Sequence, residues 1–278
     1  MTFASHLTYR TLFRISGADR RAFLQGIVSN DLQRVGHSQA IYAALLTPQG
    51  KFLHDMIISE EGEALFIECE SARADDLIKR LQLYKLRSKV TFEALSDQFN
   101  VWALWKGAFP PQSFLDPRLS ELGARLYLKK DQKPEQVSIV EWGDYDRYRL
   151  SLGITEGSKD MEIEKTTLVE GNFDFLGGID WKKGCYIGQE LTARMHYRAL
   201  VKKRLFPVHI EGPTPPYGDD LEGVGEMRSS SDNHGMALLR IDAVLQALDQ
   251  KSPLTYGETK LWPQIPSWMK IDVPPASR

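Results

Sequence analysis

Polar and apolar positions alternate along TYRTLFRIS (8–16), the period of a half-buried β-strand, and GADRRAFLQGIVSNDL (17–32) then reads as a turn leading into a helix. IYAALLTPQGKFLHDMIISEEGEALFIECE (41–70) predicts three strands joined by turns at Pro48-Gln49-Gly50 and Glu60-Glu61-Gly62. In SARADDLIKRLQLYKLRS (71–88), Leu77, Ile78, Leu81 and Tyr84 recur at helical spacing behind Ser71, which is placed as the N-cap. KVTFEAL and NVWALWK return to strand character. KKDQKPEQ (129–136) is a surface loop or a segment boundary, and DYDRYRLSLGI reads as strand or helix. EGPTPPYGDDLEG (211–223) is a loop, and GVGEMRSSSDNHGMALLRI forms a hairpin turning at Asn233, His234 and Gly235. The one helix after residue 202 is DAVLQAL, and the chain closes on a proline-rich extended tail containing Pro274 and Pro275. Strands with interspersed helices suit an α+β fold better than a doubly wound sheet. The pattern shows no internal repeat.

The 278 residues, 42% hydrophobic and 26% charged, suffice for a sizeable core and two or three domains. A net charge of -2 argues against a generic nucleic-acid binder. No run approaches the ~18 apolar residues of a membrane span. The first residues lack the tripartite build of a signal peptide, and a transit peptide is set aside because LFRISGADRRAFLQG reads as folded chain. Two cysteines, Cys69 and Cys185, fit a reducing compartment and make no metal site of their own. These features predict a cytoplasmic protein.

The chemistry concentrates in KKGCYIGQELTARM (182–195). A thiol reacts as its thiolate, which nearby cations and a helix N-terminus favour. Lys182 and Lys183 precede Cys185, a helix is expected to start near Gly188, and Ile187, Leu191 and Met195 make one buried stripe along it. Gly184 and Gly188 permit unusual backbone angles or close approaches. The alternative for Cys185 is a buried structural thiol. Tyr186 packs or stacks on an aromatic ligand, and Gln189 and Glu190 occupy the first helical turn. RMHYRALVKKR (194–204) is cationic and attracts polyanions, a polyglutamylated folate tail or RNA, unless it is a solvated face.

KGCYIGQE (183–190) resembles the signature of the YgfZ family of folate-binding proteins, bacterial relatives of a mitochondrial iron–sulfur assembly factor. LFRISGADRRAFLQGIVSNDL, LLTPQGKFLHDMII, YKLRSKV, DYDRYRLSLGITEG, LVEGNFDFLGGIDW, GEMRSS and GMALLR follow the family's order, so the resemblance covers nearly the whole chain. It implies the fold of the glycine-cleavage T-protein, an aminomethyltransferase using tetrahydrofolate: two interleaved α+β domains and a C-terminal β-barrel around a central channel. On this basis residues 1–95 form an N-terminal α+β domain. Residues 96–201 form a second α+β part, interleaved with the first and ending in the motif, and residues 202–278 form the barrel.

The resemblance also implies a role: a tetrahydrofolate-binding factor, monomeric, that uses Cys185 in assembly or repair of iron–sulfur clusters. Its partners would be iron–sulfur assembly proteins and cluster-containing client enzymes, with any tRNA link indirect. Asp55, Arg87, Asn172, Lys183, Gly184, Tyr186, Gln189 and Glu190 are the implied folate-binding set. Where the T-protein holds its pterin with a glutamate, this chain has Ser151, and His54-Asp55 keeps one of two aspartates. A hydroxyl cannot replace a bidentate carboxylate acceptor, so active aminomethyl transfer ranks second and a tRNA-modification accessory role third.

Overall fold

The computed structural model describes residues 1–198 and 200–271, so the predicted proline tail lies outside the described residues. Its strands are β1 Phe3–His6, β2 Arg10–Ser16, β3 Ile41–Leu46, β4 Phe52–Glu61, β5 Ala64–Glu70, β6 Thr91–Ala94, β7 Phe99–Trp105 and β8 Phe114–Leu115. They continue with β9 Ala124–Lys129, β10 Ser138–Ile139, β11 Lys203–Glu211, β12 Gly225–Ser231, β13 His234–Arg240, β14 Leu254–Tyr256 and β15 Thr259–Pro263. The helices are α1 Arg20–Gln25, α2 Ala74–Lys85, α3 Trp142–Ser151, α4 Gly157–Asp160, α5 Gln189–Tyr197 and α6 Ile241–Asp249.

Three five-stranded sheets result, ordered β3-β4-β5-β2-β6, β10-β1-β7-β9-β8 and β12-β13-β11-β15-β14. The first strand of the chain belongs to the second sheet: β1 pairs antiparallel with β7, Ser5 opposite Ala103. That crossing interleaves the first two sheets in sequence.

β4 and β5 are buried nearly throughout because both faces of their sheet are covered. Phe13, Ile15, Ala43, Met56 and Ile67 bury one face against Leu24 of α1 and Leu77 and Leu81 of α2. Leu12 and Phe66 point the other way and join Val101, Ala103 and Trp105 of the second sheet. Full burial of one such side chain is worth about 1.5–3 kcal/mol.

Ser71 does not cap α2. A 3-10 turn, Ser71–Arg73, intervenes, and the Ser71 hydroxyl donates to Thr8 O instead. Of the 144–154 segment, the part up to Ser151 resolves as helix α3. The β12–β13 hairpin turns at Asp232-Asn233, with Asp232 taking the positive φ of 52°, so His234 and Gly235 fall inside β13.

Candidate functional site

The motif loop lies between a short dock at Asp180 and the start of α5. Residues 177–180 are fastened to the chain after α1: the Ser29 hydroxyl donates to Gly178 O (2.6 Å), Asn30 Nδ2 to Gly177 O (2.7 Å) and Asp180 N to Ser29 O (3.1 Å). Asp180 Oδ1 then accepts from the backbone N–H groups of Lys182 (2.7 Å) and Lys183 (2.9 Å), turning the chain outward.

Lys183 makes the strongest anchor. Its ammonium donates to Gln25 O (2.8 Å), Val28 O (2.6 Å) and Asn30 O (2.8 Å), which uses all three of its protons. Those carbonyls lie at and just beyond the C-terminal end of α1, where unpaired acceptors gather. Burial lowers the Lys183 pKa to about 8, against the opposing pull of Asp31 and Asp180. The cation expected to sit beside the sulfur is therefore spent on the fold, and Lys182 alone keeps an exposed charge there.

At the far end, Gly188 caps α5 with φ 78°. A Cβ on Gly188 would lie 2.4 Å from Thr47 O, and one on Gly50 would lie 2.7 Å from Gly188 O. The Pro48-Gln49-Gly50 turn thus docks on the motif through two glycines. Gly184 differs: a Cβ there would meet nothing within 4 Å, so steric need does not account for it.

Between these anchors Cys185 is exposed, whereas Cys69 is buried in β5 and its thiol is pushed up to about 12 by burial. Tyr186 packs inward against the cluster around Tyr42 and Phe173, and burial raises its phenol to about 12. Gln189 Oε1 accepts from Tyr186 N (3.2 Å), closing the loop on itself, while Glu190 is exposed in the first turn of α5. The expected stripe is only partial. Ile187 precedes the helix and packs toward the α1–α2 core, Leu191 and Met195 are half-buried, and Thr192 is the buried residue of α5.

The other implied site residues do not gather here. Arg87 is exposed in the loop after α2. Asn172 is buried with φ 62°; its Nδ2 donates to Leu205 O (2.7 Å) and its Oδ1 accepts from Arg204 (3.2 Å), which ties the 168–176 turn to β11. Asp55 is 2% exposed and accepts from Arg10 (3.2 Å) and Tyr42 (3.3 Å).

Asp55 adjoins a feature that sequence reading missed, a closed ring of alternating charges. Arg10 contacts Glu68 (3.0 Å), Glu68 contacts Arg125 (3.3 Å), and Arg125 contacts Asp116 (3.1 Å). Asp116 contacts Arg118 (2.9 Å), Arg118 contacts Glu156 (2.8 Å), and Glu156 returns to Arg10 (3.5 Å). All six side chains are buried, and they come from β2, β5, β9, the segment after β8 and the approach to α4. Burial alone would raise the Glu156 carboxyl, but Arg118 and Arg10 hold it well below the carboxylate range. Asp116 is held down likewise by Arg118 and Arg125.

This ring bears on folate. The two positions compared with the T-protein's acids make no open seat: Asp55 is held by Arg10 and Tyr42, and Ser151 is exposed at the end of α3 with its hydroxyl on Tyr148 O (2.7 Å). A cavity of about 480 Å³ beside His6 and Asp97 and one of about 530 Å³ between Phe66 and Tyr127 are lined by neither Asp55, Asn172 nor any residue of 182–190. Neither Asp55 nor Ser151 therefore offers a free carboxylate to a pterin.

Comparison with known proteins follows the same outline. Residues 6–107 match the model of the GCVT N-terminal domain, and residues 202–271 match the CAF17 C-terminal β-barrel domain. The aminomethyltransferase T of the glycine cleavage system from Bartonella henselae shares the fold, with TM-score 0.68 at 15% identity over 87% of this chain and 79% of that one. The chain thus has a GcvT-like fold with a C-terminal β-barrel domain.

Its relatives carry a narrower name. It is 34% identical to the mitochondrial iron–sulfur cluster assembly factor IBA57 of Mus musculus, over 87% of this chain and 79% of that protein. It is 32% identical to the Homo sapiens IBA57, over 93% and 83%. The chain belongs to the IBA57 family of iron–sulfur cluster assembly factors. These relatives bear the IBA57 name, not that of the bacterial YgfZ group. They are also named as mitochondrial proteins, which overturns the cytoplasmic expectation and points to the mitochondrion. That expectation rested on cysteine usage and on setting a transit peptide aside, and few cysteines suit a mitochondrial protein equally.

Proposed function

We propose that the chain acts in iron–sulfur cluster assembly by lending the Cys185 thiolate as one ligand to a cluster otherwise held by a partner's cysteines. One observation carries the reading: Cys185 is an exposed thiol on a loop pinned at Asp180, Lys183 and Gly188, while the other cysteine is sealed in a strand. The step is a ligand exchange. A bond from iron to Cys185 sulfur forms, a bond from iron to one partner thiolate breaks, and the proton leaving Cys185 goes to the departing thiolate. No oxidant or reductant is required. Because clusters take about four thiolates, one cysteine serves only beside a partner.

The relatives' names support the same role. Folate enters no step of this exchange, since Asp55 is held by Arg10 and Tyr42 and Ser151 carries no carboxylate. Aminomethyl transfer is disfavoured by Ser151, which stands where the T-protein has its glutamate. The test is to mix the chain with a recombinant cluster-loaded iron–sulfur assembly protein of the same organism and record visible circular dichroism. The parent is expected to give a spectrum distinct from the sum of the parts, and Cys185→Ser to abolish it. An unchanged spectrum in Cys185→Ser would overturn the reading.

A further inference from the structure

The loop 181–188 folds back along α5, so that Trp181 stacks on His196 (ring centroids 3.9 Å apart) and meets Tyr197 edge-on at 6.1 Å. Tyr197 is nevertheless 70% exposed, and Leu200, whose N–H bonds Met195 O at the end of α5, is 49% exposed. This apolar and aromatic spot is flanked by the exposed cations Lys182, Arg194, Arg198 and Lys202, none of which pairs with a carboxylate among the described residues. Arg204, grouped with them by sequence, leaves the set: it is buried and bidentate on Asp174 (2.9 and 2.7 Å).

The bland account of such a face is solvation. Arg194 and Arg198 do favour the negative end of the helix dipole. Dipole compensation does not require two arginines at i and i+4, which repel each other, nor an exposed tyrosine and leucine beside them. An aromatic anchor inside a polar rim, here cationic apart from Glu190 at the start of α5, is the build of a protein-docking surface.

We propose that this face of α5, with Tyr197 and Leu200 at its centre and Lys182, Arg194, Arg198 and Lys202 around it, docks an acidic protein that carries the iron–sulfur cluster. The identity of the cargo rests on the function proposed above; the docking does not. Charge complementarity selects the occupant, because a cluster held by thiolates adds net negative charge to an acidic surface. A nucleic acid is less well served: Trp181 and His196 each give one ring face to the other, which removes those two faces as platforms for bases.

The experiment uses a panel of recombinant cluster-carrying assembly proteins of the same organism, apo and loaded, with bulk tRNA as a separate analyte. Binding to the full chain is measured at low and high salt. At least one acidic panel member is expected to bind the parent, more weakly as salt rises. The double variant Arg194→Glu/Arg198→Glu, and Tyr197→Ala alone, should each weaken that binding at least tenfold with melting temperatures unchanged. Cys185→Ser should bind the apo partner within threefold of the parent, which separates docking from ligation. Three results overturn the proposal: no panel member binding the parent, the double variant binding within twofold of the parent, or tRNA binding more tightly than any panel protein and being lost on charge reversal.

Discussion

Lys183 and Cys185 stand two residues apart and meet opposite fates: the lysine ammonium lies 2.6 Å from Val28 O inside the protein, while the cysteine is exposed. The lysine fixes where the sulfur is presented rather than flanking it with charge. Replacing Lys183 with Met strands three carbonyls and should cost about 2–3 kcal/mol. Urea unfolding measures that loss. Hydrogen exchange across residues 181–188 should rise at least tenfold, while Cys185 stays open to alkylation.

The two thiols should separate cleanly. In the native protein iodoacetamide is expected to modify Cys185 and leave Cys69 untouched, since Cys69 is 1% exposed and its thiol is pushed up to about 12. Peptide mass mapping reads the outcome. Cys185→Ser, an exposed change, should alter stability by no more than about 0.5 kcal/mol.

Gly184 and Gly188 should respond differently to alanine. Gly188→Ala forces a Cβ to 2.4 Å from Thr47 O at φ 78° and should destabilise by about 1–3 kcal/mol. Gly184→Ala meets open space and should fall within about 0.5 kcal/mol of the parent. Thermal melts of the two variants side by side decide this.

The charge ring makes stability depend on acid. Glu156 and Asp116 have folded pKa values depressed below the unfolded ones, so their stabilisation is present above the ordinary carboxylate value of about 4 and is lost as pH falls through the folded values. Urea midpoints taken between pH 7 and 3 should therefore fall toward acid, less steeply in Glu156→Gln. Arg118→Met takes one of two cationic partners from each of Asp116 and Glu156 and should cost about 3–5 kcal/mol at pH 7.

Much of the fold was legible because local patterns and burial agreed. The three strands of 41–70, their two turns and the helix start at Gly188 all follow from alternation and glycine placement. The exposed cysteine was readable as a candidate from its glycines and cations, but the direction of Lys183 was not. That depends on carbonyls about 155 residues earlier, which no local pattern reports. The ring was hidden for the same reason: Glu68 in ALFIECE and Arg125 in GARLYLK each look like one stray charge in a strand. Their only visible signal is a charge on an otherwise apolar strand, and their pairing is set by how the sheets meet.

Cluster-dependent enzyme activity in cells gives the most direct test of the thiol's role. Cells lacking their own copy of the gene would carry either the parent or Cys185→Ser at equal protein level, and the activity of a cluster-dependent enzyme would be assayed in each. The parent should restore that activity and the serine variant should leave it at the level of the deletion. Full restoration by Cys185→Ser would contradict the role assigned to this sulfur.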